Sequence, residues 1–211
     1  MKNFILSVFL ILGSSSASCQ ENISIKDLFA QMPDSLFPYL SQNNRLDMID
    51  FMESGMKSEV TNSFGEKSQM LALSEKYIKL HLSNATNVEM RLLDDSTLCL
   101  VKTLGDPPIE STAEIYDSKW NLIQSVDIDD KSITSLLLAE PDSIGEDEAD
   151  LLKSIMSQAD DIMVLASVSP GDNTLTLEPS LPLLTIPEKK LFARCKKLIS
   201  LKWDGVCYKK D

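Results

Sequence analysis

Apolar residues in the first sixty positions recur at helical spacing. In "SIKDLFAQMPDS" Ile25, Leu28, Phe29 and Met32 fall on one helical face. Ser24, with Asp27 three residues on, resembles a capping box, and Pro33 closes the element. "PDSLFPYL" reads as a turn and a short helix capped by Asp34. A longer helix follows, capped by Asn43 or Asn44, with Asp47 in its first turn. Its apolar face is expected to hold Leu46, Ile49, Met52, Met56 and Val60, with Met48 and Phe51 towards the sides. The methionines therefore read as core, with Met48, at the edge, a candidate for surface contact.

Beyond Gly65 the period shortens from helical to two. "KYIKLHLS" points Ile78, Leu80 and Leu82 one way and Tyr77, Lys79 and His81 the other, which predicts a strand with an apolar and a polar face. "VEMRLLDDSTLCLVKTL" reads as a hairpin through Asp94-Asp95-Ser96, "GDPPIES" as a connection, and "TAEIYDSKWNLIQSVDI" as a strand pair turning near Asp117-Ser118. An antiparallel meander of four or five strands results.

The second half loosely repeats this order. "EPDSIGEDEADLLKSIMSQADD" predicts a helix with an acidic first turn and Leu151, Leu152, Ile155 and Met156 on one face. "IMVLASVSPGDNTLTLEPS" is strand, Pro-Gly turn, strand. "KLFARCKKLISLKWDGVCYKK" is expected to give two or three strands, with Asp204-Gly205 as a hairpin turn. The fold class is α+β, two related halves of helix pair plus antiparallel β-meander, over 19–136 and 137–211. The Pro-Asp-Ser recurrence at 33–35 and 141–143 supports a duplication.

The N-terminus sets the compartment. "MKNFILSVFLILGSSSASC" has one positive charge, an apolar core and a run of small residues, so residues 1–18 read as a signal peptide. Small residues before Cys19 resemble a lipobox without its usual leucine. Either Cys19 is lipidated and tethers the protein to a membrane, or ordinary cleavage releases it. The destination is the periplasm or the outer membrane. In an oxidising envelope Cys195 and Cys207 are candidates for a disulfide across a C-terminal hairpin, while Cys99 reads as a small core hydrophobe.

Charge narrows the partners. A formal net charge of −12 argues against nucleic acid. The charge is uneven: ten acids face one lysine between residues 137 and 179, and eight Lys/Arg face three acids between 188 and 211. Internal pairing or solvation explains this without a ligand.

The run "QMPDSLFPYLSQNNRLDMIDFM", with "SEKYIKLHLS", "VEMRLL", "CLVKT" and "LKWDG", resembles an uncharacterised family of exported Bacteroidales proteins, a domain of unknown function. The resemblance spans the mature chain and implies an envelope protein with no catalytic residues to carry over. The helix-pair-plus-meander arrangement is also similar to that of β-lactamase inhibitory proteins, which bind proteins on a concave sheet face.

Chemistry-bearing motifs are sparse. His81 is the only histidine, on a polar strand face without a partner in sequence. "DIDDKS" gathers Asp127, Asp129 and Asp130 but lacks the glycine and distal glutamate of a calcium loop. The acids of "GEDEAD" suit a helix N-terminus. Trp120 and Trp203 are expected to close the sheet core. No catalytic, metal or cofactor-binding residues are assigned. The expected role is a non-enzymatic module that binds an envelope protein or peptide through Tyr77, Lys79 and His81, with Met48. The alternatives are an envelope hydrolase with unassigned carboxylates and a carrier of a small apolar ligand.

Overall fold

A computed structural model describes residues 23–210; residues 1–18, read from the sequence as a signal peptide, and Cys19 lie outside the described residues. Two helices open this region. α1 (Ile25–Gln31) is capped by the Ser24 hydroxyl, which accepts from Lys26 N, and it buries Ile25, Leu28 and Phe29. α2 (Gln42–Glu53) is capped by Ser41, not by the asparagines: Asn44 is the reciprocal partner of its capping box. Asp34 caps no helix; it pairs with the Arg45 guanidinium across a turn.

α2 also stops earlier than its apolar spacing suggested. Gly55 takes a left-handed φ of 68° just past its end, and Val60 belongs to a strand. The buried face is rotated accordingly. Arg45, Met48 and Ile49 point inward, while Leu46 and Met56 are exposed. Met48 is 0% exposed, so it offers no contact surface.

Seven strands then run up and down in sequence order: β1 (Glu59–Thr61), β2 (Lys67–Leu73), β3 (Tyr77–Ser83), β4 (Thr86–Leu92), β5 (Thr97–Leu104), β6 (Glu110–Asp117) and β7 (Leu122–Ser125). The first two escaped the sequence reading because polar residues are buried in and around them, Ser58 and Asn62 on either side of β1 and Ser68 within β2, which blurs the alternation. α1 and α2 cover one face, with Phe29, Met48, Ile78, Leu80, Met90 and Leu98 at the centre of that core. Trp120 closes it, its indole N–H donating to Leu28 O at 3.1 Å.

The second half contributes α3 (Lys131–Thr134), α4 (Ala149–Ser157), β8 (Met163–Val168), β9 (Thr174–Ser180), α5 (Ile186–Cys195), β10 (Ile199–Trp203) and β11 (Tyr208–Lys210). Its four strands form a separate antiparallel sheet, ordered β11-β10-β9-β8. The stretch "KLFARC", expected as strand, is helical. Thr185 and Glu188 make a capping box, proline occupies the first turn, and Leu191 and Cys195 share a buried face one turn apart. α4 and α5 pack together through Leu152, Ile155, Leu191 and Cys195.

The small sheet lies on the inner face of the large one. Cys99, Val101, Ala113 and Ile115 meet Val164, Ala166, Leu175, Leu177 and Leu201, so the two halves share a core. The protein is thus α+β with an antiparallel meander, layered as helices, seven-stranded sheet and four-stranded sheet. Among the described residues no helix is long and apolar enough to cross a membrane.

Cys195 and Cys207 do not form the expected bridge; all three described cysteines are free. Cys195 precedes β10 and Cys207 follows it, and the strand between separates them by about 13 Å at the usual rise. A disulfide needs Cα atoms within about 7 Å. Burial pushes the Cys99 thiol up to about 12 and raises that of Cys195 as well. Alkylation of the folded protein is therefore expected to mark Cys207 and spare Cys99 and Cys195, with all three marked after unfolding. Failure of both Cys195 and Cys207 to label in denaturant without reductant would contradict this.

Asp172 holds the β8–β9 turn. Hydrogen bonds from the Thr174 and Ser169 side chains and from Thr174 N, with Lys202 nearby, lower its carboxyl to about 2. A depressed carboxyl contributes stability that is complete above its unfolded value, about 3.9, and fades as pH falls through the folded value. In a carbon-detected NMR titration Asp172 is expected to titrate near pH 2, with the Thr174 amide shift moving alongside. A midpoint near 4 would show the turn unformed.

Candidate functional site

The antiparallel register aligns one row of polar residues across six strands of the inner face. Glu59 faces Gln69, Gln69 faces His81, His81 faces Asn87, Asn87 faces Thr103 and Thr103 faces Ser111. The next row is Ala72, Lys79, Glu89, Val101 and Ala113. Beyond it Tyr77, Arg91, Cys99 and Ile115 line up. The small sheet covers the apolar ends of the second and third rows and leaves the polar row beside it.

A cleft of about 350 Å³ opens there. Lys79, Asn87, Glu89 and Thr103 form its floor, β8 and β9 one wall, and Pro108 part of the rim. Within the floor the polar groups are paired side to side. His81 Nδ1 lies 2.9 Å from Asn87 Oδ1, Thr103 Oγ1 lies 2.8 Å from Ser111 Oγ, and Lys79 donates to Glu89 at 2.9 Å. Glu89 also accepts from Val168 N at 3.0 Å, which ties the small sheet to β4.

The three strand residues proposed from sequence separate here. Lys79 lines the cleft, and His81 joins its polar row. Tyr77 is buried in the inter-sheet core, because the small sheet covers its row. Burial raises its phenol well above the ordinary range. Asn87, Glu89, Thr103 and Ser111 escaped the sequence reading. The hairpin turn at Asp94-Asp95-Ser96 held the missing signal, since counting back from it sets Asn87 opposite Thr103.

The other candidates have local explanations. Asp130 caps α3 by accepting from Ser132 N at 2.8 Å, and burial beside Asp127 and Glu110 raises the Asp129 carboxyl. Glu148 accepts from Gly145 N and from Arg194. Among the described residues no group of three His, Cys, Asp or Glu side chains is placed to hold a metal ion. A hollow of about 570 Å³ beside the start of α1 borders Ile23, the first described residue.

The model of the family described as "Protein of unknown function (DUF3256)" matches residues 17–208. The chain belongs to this family. Its fold is similar to that of a domain of an uncharacterised protein from Porphyromonas gingivalis W83, with a TM-score of 0.65. The identity is 20%, over 89% of this chain and 97% of that one. The bacterium is consistent with the Bacteroidales resemblance drawn from the sequence. No curated protein matches the chain. Membership of the DUF3256 family agrees with the resemblance drawn from the sequence, and it assigns no activity.

Proposed function

We propose that the protein is an exported, non-enzymatic module of the cell envelope that holds a protein or peptide in the cleft between its two sheets. The reading rests on the polar row. Six consecutive strands contribute Glu, Gln, His, Asn, Thr and Ser to one line on the part of the inner face that the small sheet leaves uncovered, and all but Ser111 are half-buried. Such a line retains hydrogen-bonding capacity for a polar ligand. The only carboxylate on the cleft floor, Glu89, is engaged as an acceptor by Lys79 and Val168 N, which suits anchoring better than proton transfer. The signal segment supports export, with Cys19 as the residue through which a lipid tether would form.

Photo-crosslinking amino acids at Asn87 and Thr103, compared with exposed Thr112 on the opposite face, test the proposal in the native host. The expected result is a discrete, protease-sensitive adduct from the cleft positions and none from Thr112. Equal background from all three positions would refute it.

A further inference from the structure

The two most exposed large apolar side chains among the described residues stand three positions apart. Leu183 is 92% exposed and Ile186 75%. Both belong to "LPLLTI", which leads from β9 into α5 and whose Leu181 and Leu184 are buried in one cluster with Leu152 and Leu191. The turn is therefore anchored on both sides of Leu183, and the capping box of Thr185 and Glu188 fixes the start of α5 at Ile186. A loose loop could fold such side chains inward; this one holds them in water, where exposed apolar area is costly. Lysines adjoin them. Ile186, Lys189, Lys190 and Ala193 recur at i, i+3, i+4 and i+7 and form the exposed face of α5, opposite Leu191 and Cys195. Among the described ion pairs neither Lys189 nor Lys190 has a carboxylate partner. Glu188 is turned back to the turn and to α4, its carboxylate accepting from Thr185 N, Thr185 Oγ1 and Ser154 Oγ. An apolar tip flanked by cations thus stands out on a chain of net charge −12.

We propose that this corner of the protein rests on an anionic phospholipid bilayer, with Leu183 and Ile186 entering the headgroup layer and Lys189 and Lys190 meeting the phosphates. Apolar side chains gain by leaving water at that depth, and lysine stems lie along apolar surface while their ammonium groups stay among the headgroups. The acidic remainder of the surface is repelled by the same phosphates, so the contact also sets which way the protein faces. Two apolar side chains and two charges give weak, reversible binding, of the kind that orients a protein held at a membrane by a second anchor. The cleft between the sheets shares no residue with this corner.

The chain from residue 19 with Cys19→Ser, which carries no acyl chain, is sedimented with phosphatidylglycerol vesicles and with phosphatidylcholine vesicles. Its partition into the anionic vesicles is expected to exceed that into the neutral ones about tenfold and to fall away in high salt. Leu183→Ser with Ile186→Ser, and separately Lys189→Gln with Lys190→Gln, should each lower it about tenfold or more. All four residues lie on the surface, so both double variants should keep the circular dichroism of the parent. Leu122→Ser with Ile123→Ser, which removes exposed apolar area from β7, should leave the partition unchanged. Absence of partition, or an equal loss in the β7 variant, overturns the proposal. Loss with the lysine pair alone overturns insertion. A dimer in lipid-free sedimentation that Leu183→Ser with Ile186→Ser dissolves overturns it in favour of a second copy of this chain.

Discussion

Arg45→Ala is expected to destabilise the protein by about 3–5 kcal/mol, the largest effect of any polar substitution. Arg45 is 2% exposed, on the inward face of α2. Its guanidinium donates to Leu40 O and to Met32 O, each at 2.6 Å, and so holds the connection between α1 and α2. Truncation leaves both buried carbonyls without that donor and opens a hole beside the methionine-rich core. The ion pair with Asp34 at 2.8 Å matters much less, because Asp34 is 67% exposed. Asp34→Asn should therefore cost less than about 1 kcal/mol. Arg45→Lys should fall between, since one ammonium cannot reproduce the fork that reaches two carbonyls. Urea unfolding of the three variants checks the order. A loss below about 1 kcal/mol for Arg45→Ala would mean that water or neighbouring groups satisfy those carbonyls.

Arg91→Ala is expected to cost about 2–4 kcal/mol and to loosen the small sheet selectively. Arg91 is a buried cation at the junction of the two sheets. It donates to Pro170 O at 2.6 Å and to Asn173 Oδ1 at 3.3 Å, while Asn173 Nδ2 donates to Leu93 O at 2.7 Å. Among the described ion pairs it has no carboxylate partner. Its worth thus lies in fixing the β8–β9 turn to β4. Losing that clamp should also disturb the Val168–Glu89 contact one step away. The signature is a lower urea midpoint with altered near-ultraviolet dichroism from the Trp203–Tyr208 pair, whose ring centroids are 5.4 Å apart. An unchanged midpoint and spectrum would show that hydrophobic contacts alone seat the small sheet.

Much of the fold was legible where a single periodicity ruled. "KYIKLHLS" gave β3, and its apolar side does face the helices. Ser24, Pro170-Gly171 and Asp204-Gly205 marked real boundaries because caps and tight turns are local chemistry. Failures came where tertiary structure decided. "KLFARC" contains residues at home in strands, but Thr185 and Glu188, just upstream, commit it to helix α5. Val60 kept the spacing of α2 and yet joined β1, because Gly55 ended the helix first.

The candidate site was half legible for a related reason. Alternation identified Lys79 and His81 as one face, but not that Tyr77 on the same face would be covered by a second sheet. Burial on that side depends on where β8 lands, and no pattern within β3 encodes it. The polar row itself is a property of register across six strands and becomes visible only when every hairpin is aligned.

The central claim is that the polar row beside the small sheet holds a protein or peptide, and a pull-down from the native envelope with Thr103→Lys, set against Thr112→Lys on the opposite face, tests it most directly. The account predicts one discrete partner retained by the unaltered protein and by Thr112→Lys and lost with Thr103→Lys. Recovery of the same proteins by all three would contradict it.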